Sequence, residues 1–309
     1  MLILKSNSKF SGSNSDLPHV DYYNDLNSQN SAIFSLERLK RDYLGPAVRV
    51  RRSNDNQEKN ISFKEPGVLD IESLLSFVGG NTGNIVKWYD QTGSGREFAQ
   101  TDASKQPIIV LSGELQTQND KPALLFSTSG LHFLSSQGLK DALVNKMYIA
   151  VAAVFSSSRN SQNASEGRLL QITLSNNLNS SKFAIGYDSS RLFNVIYREG
   201  DSSTDVVKTI KKQSIFEANR AYHVFSDAFF KNNGFAKLKV DNNLIEEQQM
   251  ATVGVVSLAP MNTPLLGSSS STGDSLYKGK MSELIIHFDS DNNLELDKVV
   301  ADQIFRYSL

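Results

Sequence analysis

The stretch Met147-Tyr148-Ile149-Ala150-Val151-Ala152-Ala153-Val154-Phe155 decides the fold. A membrane helix needs about 20 apolar residues, so this run of nine is too short to span a bilayer. It carries no alternating polar residues, as a strand half exposed to water would. It therefore reads as a strand buried on both faces.

Working outward, the C-terminal side is strand and turn. Expected strands are 168–174, 182–187, 192–198, 206–211, 221–230, 236–240, 244–250, 264–267 and 276–288. Turn chemistry separates them at Asn176-Asn177, Asp188-Ser189-Ser190, Asn232-Asn233-Gly234 and Asp241-Asn242-Asn243. This spacing signals an all-β sandwich or jelly roll. A closing helix after Asp291-Asn292-Asn293 places Leu296, Val299, Val300, Gln303, Ile304 and Tyr307 on one face, suited to covering a sheet.

On the N-terminal side, Ser31 to Leu44 reads as a helix that Gly45-Pro46 ends. Ala47–Arg52 alternates like a half-buried strand, with its return at Asn60–Phe63. Asp70 caps a short helix over Ile71–Val78, closed by Gly79-Gly80. The expected architecture is one β-sandwich over residues 31–309 with about three short helices. Residues 1–30 form a separate N-terminal strand and arm.

Composition narrows the function. The 309 residues carry a formal net charge of −1, which gives no field to hold a phosphate backbone, so nucleic acid is not an expected partner. No cysteine is present, which removes disulfides, thiolate metal sites and a cysteine nucleophile. The start Met1–Asn7 lacks the basic region and long apolar stretch of a signal peptide. The four histidines, His19, His132, His223 and His287, show no metal-ligand spacing.

Two further features carry candidate binding chemistry. Trp88-Tyr89-Asp90-Gln91-Thr92-Gly93-Ser94-Gly95 offers Trp88 or Tyr89 as a sugar platform and Asp90 and Gln91 as hydroxyl partners; its alternative is a strand entering a tight turn. Arg49, Arg51 and Arg52 form a basic patch for an anionic partner, unless Glu37, Asp55 and Glu58 neutralise it. Asp241-Asn242-Asn243 and Asp289–Asn293 are oxygen-rich enough to contact Ca²⁺, or serve as a turn and a helix cap. No metal site and no other cofactor is expected.

Two segments carry a family resemblance. Ala32–Leu39, Tyr43–Asp55, Leu74–Gly79 and Trp88–Gly95 resemble the opening of the fungal-type α-L-arabinofuranosidase B catalytic domain, a pattern shared with phage virion proteins. Lys237–Leu244 and Tyr277–His287 resemble the hairpin and closing strand of laminin-G and concanavalin A-like domains. The resemblance implies a two-sheet concanavalin A-like jelly roll.

It also implies two catalytic carboxylates, one nucleophile and one general acid. At the nucleophile position, in Gly186–Phe193, this chain offers Ser189 with Asp188 beside it. At the acid position it offers Gly267 and four serines, with Asp274 further on. No catalytic residue is therefore assigned. The leading expectation is a non-enzymatic virion structural protein, made in a host cytoplasm. It would assemble with other virion proteins and copies of itself through the N-terminal arm, and contact a host surface glycan without membrane insertion.

One alternative is a carbohydrate-binding module displaying several of Tyr187, Phe193, Tyr197, Tyr222 and Phe229, with Asp188 as a polar partner. The other is a glycoside hydrolase with relocated carboxylates drawn from Asp188, Glu199, Asp274 and Glu283.

Overall fold

The apolar run forms the middle of the molecule. In a computed structural model, Tyr148–Ser157 is a ten-residue strand with every residue buried. Ile149, Val151, Ala153 and Phe155 enter the main core. Tyr148, Ala150 and Ala152 enter a second apolar cluster on the opposite face. Side chains alternate faces along a strand, so two buried faces need an unbroken apolar sequence.

The structure describes residues 23, 24, 26, 29–126, 132–158, 166–173, 181–190, 192–198, 207–211, 217–231, 233–250, 262–270, 275–290 and 296–309. The first 22 residues of the proposed arm, with His19, lie outside this set. So do Glu199, Asp274 and residues 291–295.

The principal strands, in order, are β1 (Ser31–Ser35), β2 (Val48–Arg52), β3 (Glu58–Ile61), β4 (Gly83–Trp88), β5 (Ile108–Leu111), β6 (Leu124–Phe126) and β7 (Tyr148–Ser157). They continue as β8 (Gly167–Thr173), β9 (Ser181–Tyr187), β10 (Phe193–Arg198), β11 (Val207–Lys211), β12 (Ala221–Phe229), β13 (Phe235–Val240), β14 (Asn243–Gln249) and β15 (Gly279–Asp289). Three α-helices stand among the described residues: α1 (Ile71–Val78), α2 (Gln137–Ala142) and α3 (Asp297–Tyr307).

The first wall is antiparallel. β15 pairs with β1 and β6 on one side and β7 on the other, and β12, β13 and β14 follow outward from β7. The second wall is β8–β9–β10–β11. Three two-residue strands, Phe98–Ala99, Leu134–Ser135 and Leu265–Leu266, stitch β4 to β8 and nearly close the sandwich. The all-β jelly-roll expectation holds.

The helix expected over Ser31–Leu44 is not formed. Ser31–Ser35 is instead β1, paired in register with β15 from Ser31 opposite His287 to Ser35 opposite Glu283. Ala32 and Phe34 point into the main core, while Ile33 points into the second cluster. Burial on both faces hides the period of two, and the chance spacing of Ile33, Leu36 and Leu39 imitates a helix. Tertiary pairing overrides that local pattern.

The other two expected helices form. Asp70 caps α1 by accepting from the Ser73 amide. α3 covers the outer face of the first wall through Val299 and Val300, joined there by Tyr23 and Leu26. α2 was not expected from sequence; Ser136 caps it by accepting from the Leu139 amide. Among the described residues no helix is long and apolar enough to cross a membrane.

Candidate functional site

The aromatic and polar residues of 88–91 pack and hydrogen-bond within the chain. Trp88 is fully buried and packs against Phe34 at a ring-centroid distance of 5.7 Å, so neither ring face is open to a sugar. Tyr89 is partly exposed and donates its hydroxyl to Asn60 Oδ1.

The Asp90 carboxylate accepts from the amides of Ile33 and Thr92 and the hydroxyls of Thr92 and Ser94. Gln91 accepts from the Leu39 amide and donates to the carbonyls of Ser35 and Glu37. These two side chains satisfy backbone groups of β1 and of the segment that follows it. Asp90→Ala strips acceptors from a buried amide and is expected to lower stability by about 2–3 kcal/mol, read from the urea midpoint.

Two of the three patch arginines are ion-paired within the chain. Arg49 pairs with Glu58 at 2.6 Å, and Arg52 pairs with Asp55 at 2.5 Å. Arg51 donates to Gln106, Asn56 and the Ala103 carbonyl. At the proposed Ca²⁺ turn, the Asp241 carboxylate accepts from the His223 amide and Arg220. Among the described residues no group of three His, Cys, Asp or Glu side chains is arranged to hold a metal ion.

The aromatics proposed for sugar stacking face inward. Tyr187, Phe193, Tyr197 and Tyr222 all belong to the main core, and Phe229 is buried in the second cluster. An exposed aromatic platform is therefore not built from them. Of the carboxylates proposed to have moved, Glu283 is fully buried under α3. There it binds Arg306, Gln303 and Ser35. Asp188 lies on the other wall, so these two carboxylates do not share a cleft.

What the structure gathers is a polar face on the second wall. Phe193 and Val195 point into the core, so Asn194 between them points away from it. The same alternation turns Gly186 outward between Ile185 and Tyr187. Register then aligns Arg168, Gly186, Asn194 and Lys211 in a row across β8 to β11. In the neighbouring row, Gln171 stands opposite Ala184.

A β-bulge between Arg168 and Leu170 sets the aim of Arg168. Gly186 permits the close approach, because a Cβ there would fall on the Gly167 carbonyl oxygen. The Arg168 side chain is only 5% exposed, and its Nη2 donates to Glu166 Oε2 at 2.8 Å. Its Nε and Nη1 have no hydrogen-bond partner among the described residues. Asn194 Oδ1 is likewise buried without a partner.

Burial pulls the Arg168 pKa down, and the charges of Glu166 and Asp188 oppose it. Asp188 closes the row. Its Oδ1 accepts from the amides of Ser190 and Leu192, and its Oδ2 accepts from Lys211 Nζ at 2.9 Å. Burial raises the Asp188 carboxyl, but Lys211 and those amides outweigh it and hold it below its ordinary value. Buried donors and acceptors are almost always paired, so the idle atoms of Arg168 and Asn194 call for an explanation, as do Trp88 Nε1 and His223 Nδ1 elsewhere in the sandwich. Sequence reading missed Arg168 and Asn194; the only local signal was an arginine beside glycine in Gly167-Arg168.

The fold and this face define an antiparallel β-sandwich of the jelly-roll class with a polar row on one wall. Solved structures that share that fold include two of arabinofuranosidases. One is an arabinofuranosidase complexed with arabinofuranosyl-α-1,2-xylobiose, with a TM-score of 0.59, 13% identity, and coverage of 89% of this chain and 62% of the other. The second is a GH54 α-L-arabinofuranosidase mutant soaked with 4-nitrophenyl α-L-arabinofuranoside, with a TM-score of 0.58, 12% identity, and coverage of 89% and 61%. This chain thus spans less than two thirds of either arabinofuranosidase. At such identity the likeness establishes fold alone. No family model matches the sequence, and no curated protein matches it.

Proposed function

We propose that this chain is a non-catalytic carbohydrate-binding β-sandwich that holds its glycan on the β8–β11 face. The observation that carries the reading is the pair of buried, unpartnered polar side chains, Arg168 and Asn194, in one cross-strand row. Saccharides present both hydroxyl donors and acceptors, which is what an unpaired guanidinium and an unpaired amide oxygen require. Adjacent strands lie about 4.8 Å apart, so the two residues flank a span of about 10 Å.

The non-catalytic part rests on the placement of the carboxylates. Glycoside cleavage requires two in one cleft. Of the four candidates, the two within the described residues are engaged, Glu283 by Arg306 and Asp188 by Lys211, and Glu199 and Asp274 lie outside that set. This reading stands ahead of virion assembly, because that role depends on the arm of residues 1–30, most of which lies outside the described set. A virion location and copies of itself as partners stay attached to that second role.

The test is a glycan array probed with the wild-type chain and with Asn194→Ala. Binding by wild type, weakened at least tenfold in the variant, is the expected result. Equal binding by both proteins would place the glycan elsewhere.

A further inference from the structure

We infer that the group bound at Arg168 is an anionic oxygen function, a sugar carboxylate, so that the ligand is an acidic rather than a neutral glycan. This inference rests on the carbohydrate-binding reading above. The guanidinium has five N–H donors, and only Nη2 is engaged, by Glu166. The donors on Nε and Nη1 remain, on a side chain that is 95% buried by its 5% exposure. A buried guanidinium cannot shed its charge, so its idle donors are costly. A neutral hydroxyl answers one such donor weakly. A carboxylate offers about four acceptor positions and supplies the opposite charge, making hydrogen bonds about twice as strong.

The site is also within reach of a ligand. Glu166, which covers the guanidinium, is itself 47% exposed, and Lys211 at the far end of the row is 45% exposed. A ligand must therefore displace Glu166 to reach Nε and Nη1, which are themselves buried. Glu166 is a displaceable internal counter-ion, and an incoming carboxylate takes its place on Nη2 while reaching the idle nitrogens. Asn194 Oδ1 accepts a hydroxyl of the same ligand, and Lys211 stands at the far end of the row, paired with Asp188.

This arrangement gives two opposite expectations. Glu166→Gln removes the competing charge and should strengthen binding of an acidic glycan several-fold. Arg168→Gln should weaken it at least tenfold.

The test uses oligosaccharides in matched pairs, oligogalacturonate among them, each carboxylated form set beside its carboxyl-reduced neutral form. Calorimetry measures wild type, Arg168→Gln and Glu166→Gln. Circular dichroism verifies the fold of each variant. In parallel, the Arg168 Nε–Hε NMR resonance, assigned by its loss in Arg168→Lys, is followed in the wild-type chain. Tighter binding of a carboxylated form, lost in Arg168→Gln and enhanced in Glu166→Gln, with movement of that resonance, is the expected result.

Equal binding of carboxylated and reduced forms would overturn the acidic-ligand inference and leave carbohydrate binding standing. Acidic preference that survives in Arg168→Gln, with an unmoved resonance, would also overturn it. Failure of every saccharide to bind would overturn both readings.

Discussion

Arg306→Met is expected to cost about 3–5 kcal/mol of stability, the scale for breaking a buried ion cluster by removing one partner. Arg306 comes from α3 and is 5% exposed. It donates to both oxygens of Glu283 at 2.7 and 2.9 Å, to Asp302 at 2.7 Å, to Glu37 at 2.8 Å and to the Tyr23 hydroxyl at 3.0 Å.

Burial draws the Arg306 pKa down, but Glu283 and Tyr23 outweigh it and raise it well above its ordinary value. Burial likewise pushes Glu37 up, and Arg306 with Lys121 overcome that and hold its carboxyl below the usual value. Removing the guanidinium leaves three acidic groups, with Lys121 as the nearest remaining cation on Glu37. The same residue joins β15, α3 and Tyr23, so its loss loosens the second apolar cluster. Urea unfolding checks this: the midpoint should fall sharply in Arg306→Met. Adding Glu283→Gln should restore part of the loss, because one stranded charge is then gone.

The second large effect is acid sensitivity. Burial pushes both His223 and His287 down to about 4. His223 Nε2 lies 2.9 Å from Gln303 Oε1, and His287 Nδ1 lies 3.0 Å from Ser31 Oγ. An unfolded histidine titrates near 6.5, so below that pH the unfolded chain takes up protons that the folded chain refuses. Stability is fully present above about 6.5 and falls as pH drops toward 4, by about 3 kcal/mol for each histidine.

Asp227 opposes this. Burial lifts its carboxyl to about 6. A raised carboxyl contributes stability at low pH that is lost as pH rises from about 3.9 through 6, here about 3 kcal/mol. The net loss on acidification from these three groups is therefore about 3 kcal/mol. His223→Gln should flatten the slope of unfolding free energy between pH 6.5 and 4, measured by urea titration. Asp227→Asn should steepen it and raise stability at pH 7. A slope unchanged in both variants would assign the acid response to other groups.

The fold was legible where burial is symmetrical and local. Met147–Phe155 announced a central strand because both its faces are apolar, and Asp70 announced α1 by its capping chemistry. Ser31–Ser35 misled for the same physical reason: with both faces buried, it shows no period of two, and a helical spacing appears by chance. The binding row was not legible. Arg168 gains its meaning from a bulge, from Gly186 on the next strand and from Asn194 one strand further. The buried cluster was equally hidden, since Glu37, Glu283 and Arg306 meet only in three dimensions; Asp302 and Arg306 alone had a readable i,i+4 spacing. Trp88 and Asp90 were conspicuous in sequence because a tight turn packed on the core selects distinctive residues, as a sugar site also does.

The central claim is that a glycan occupies the β8–β11 face. The most direct measurement is a crystal structure of the chain with the tightest saccharide found on the array. Sugar density in contact with both Arg168 and Asn194 is the expected result. A saccharide held instead beside Tyr89, or along Arg49 and Arg52, with the β8–β11 row empty, would contradict the account.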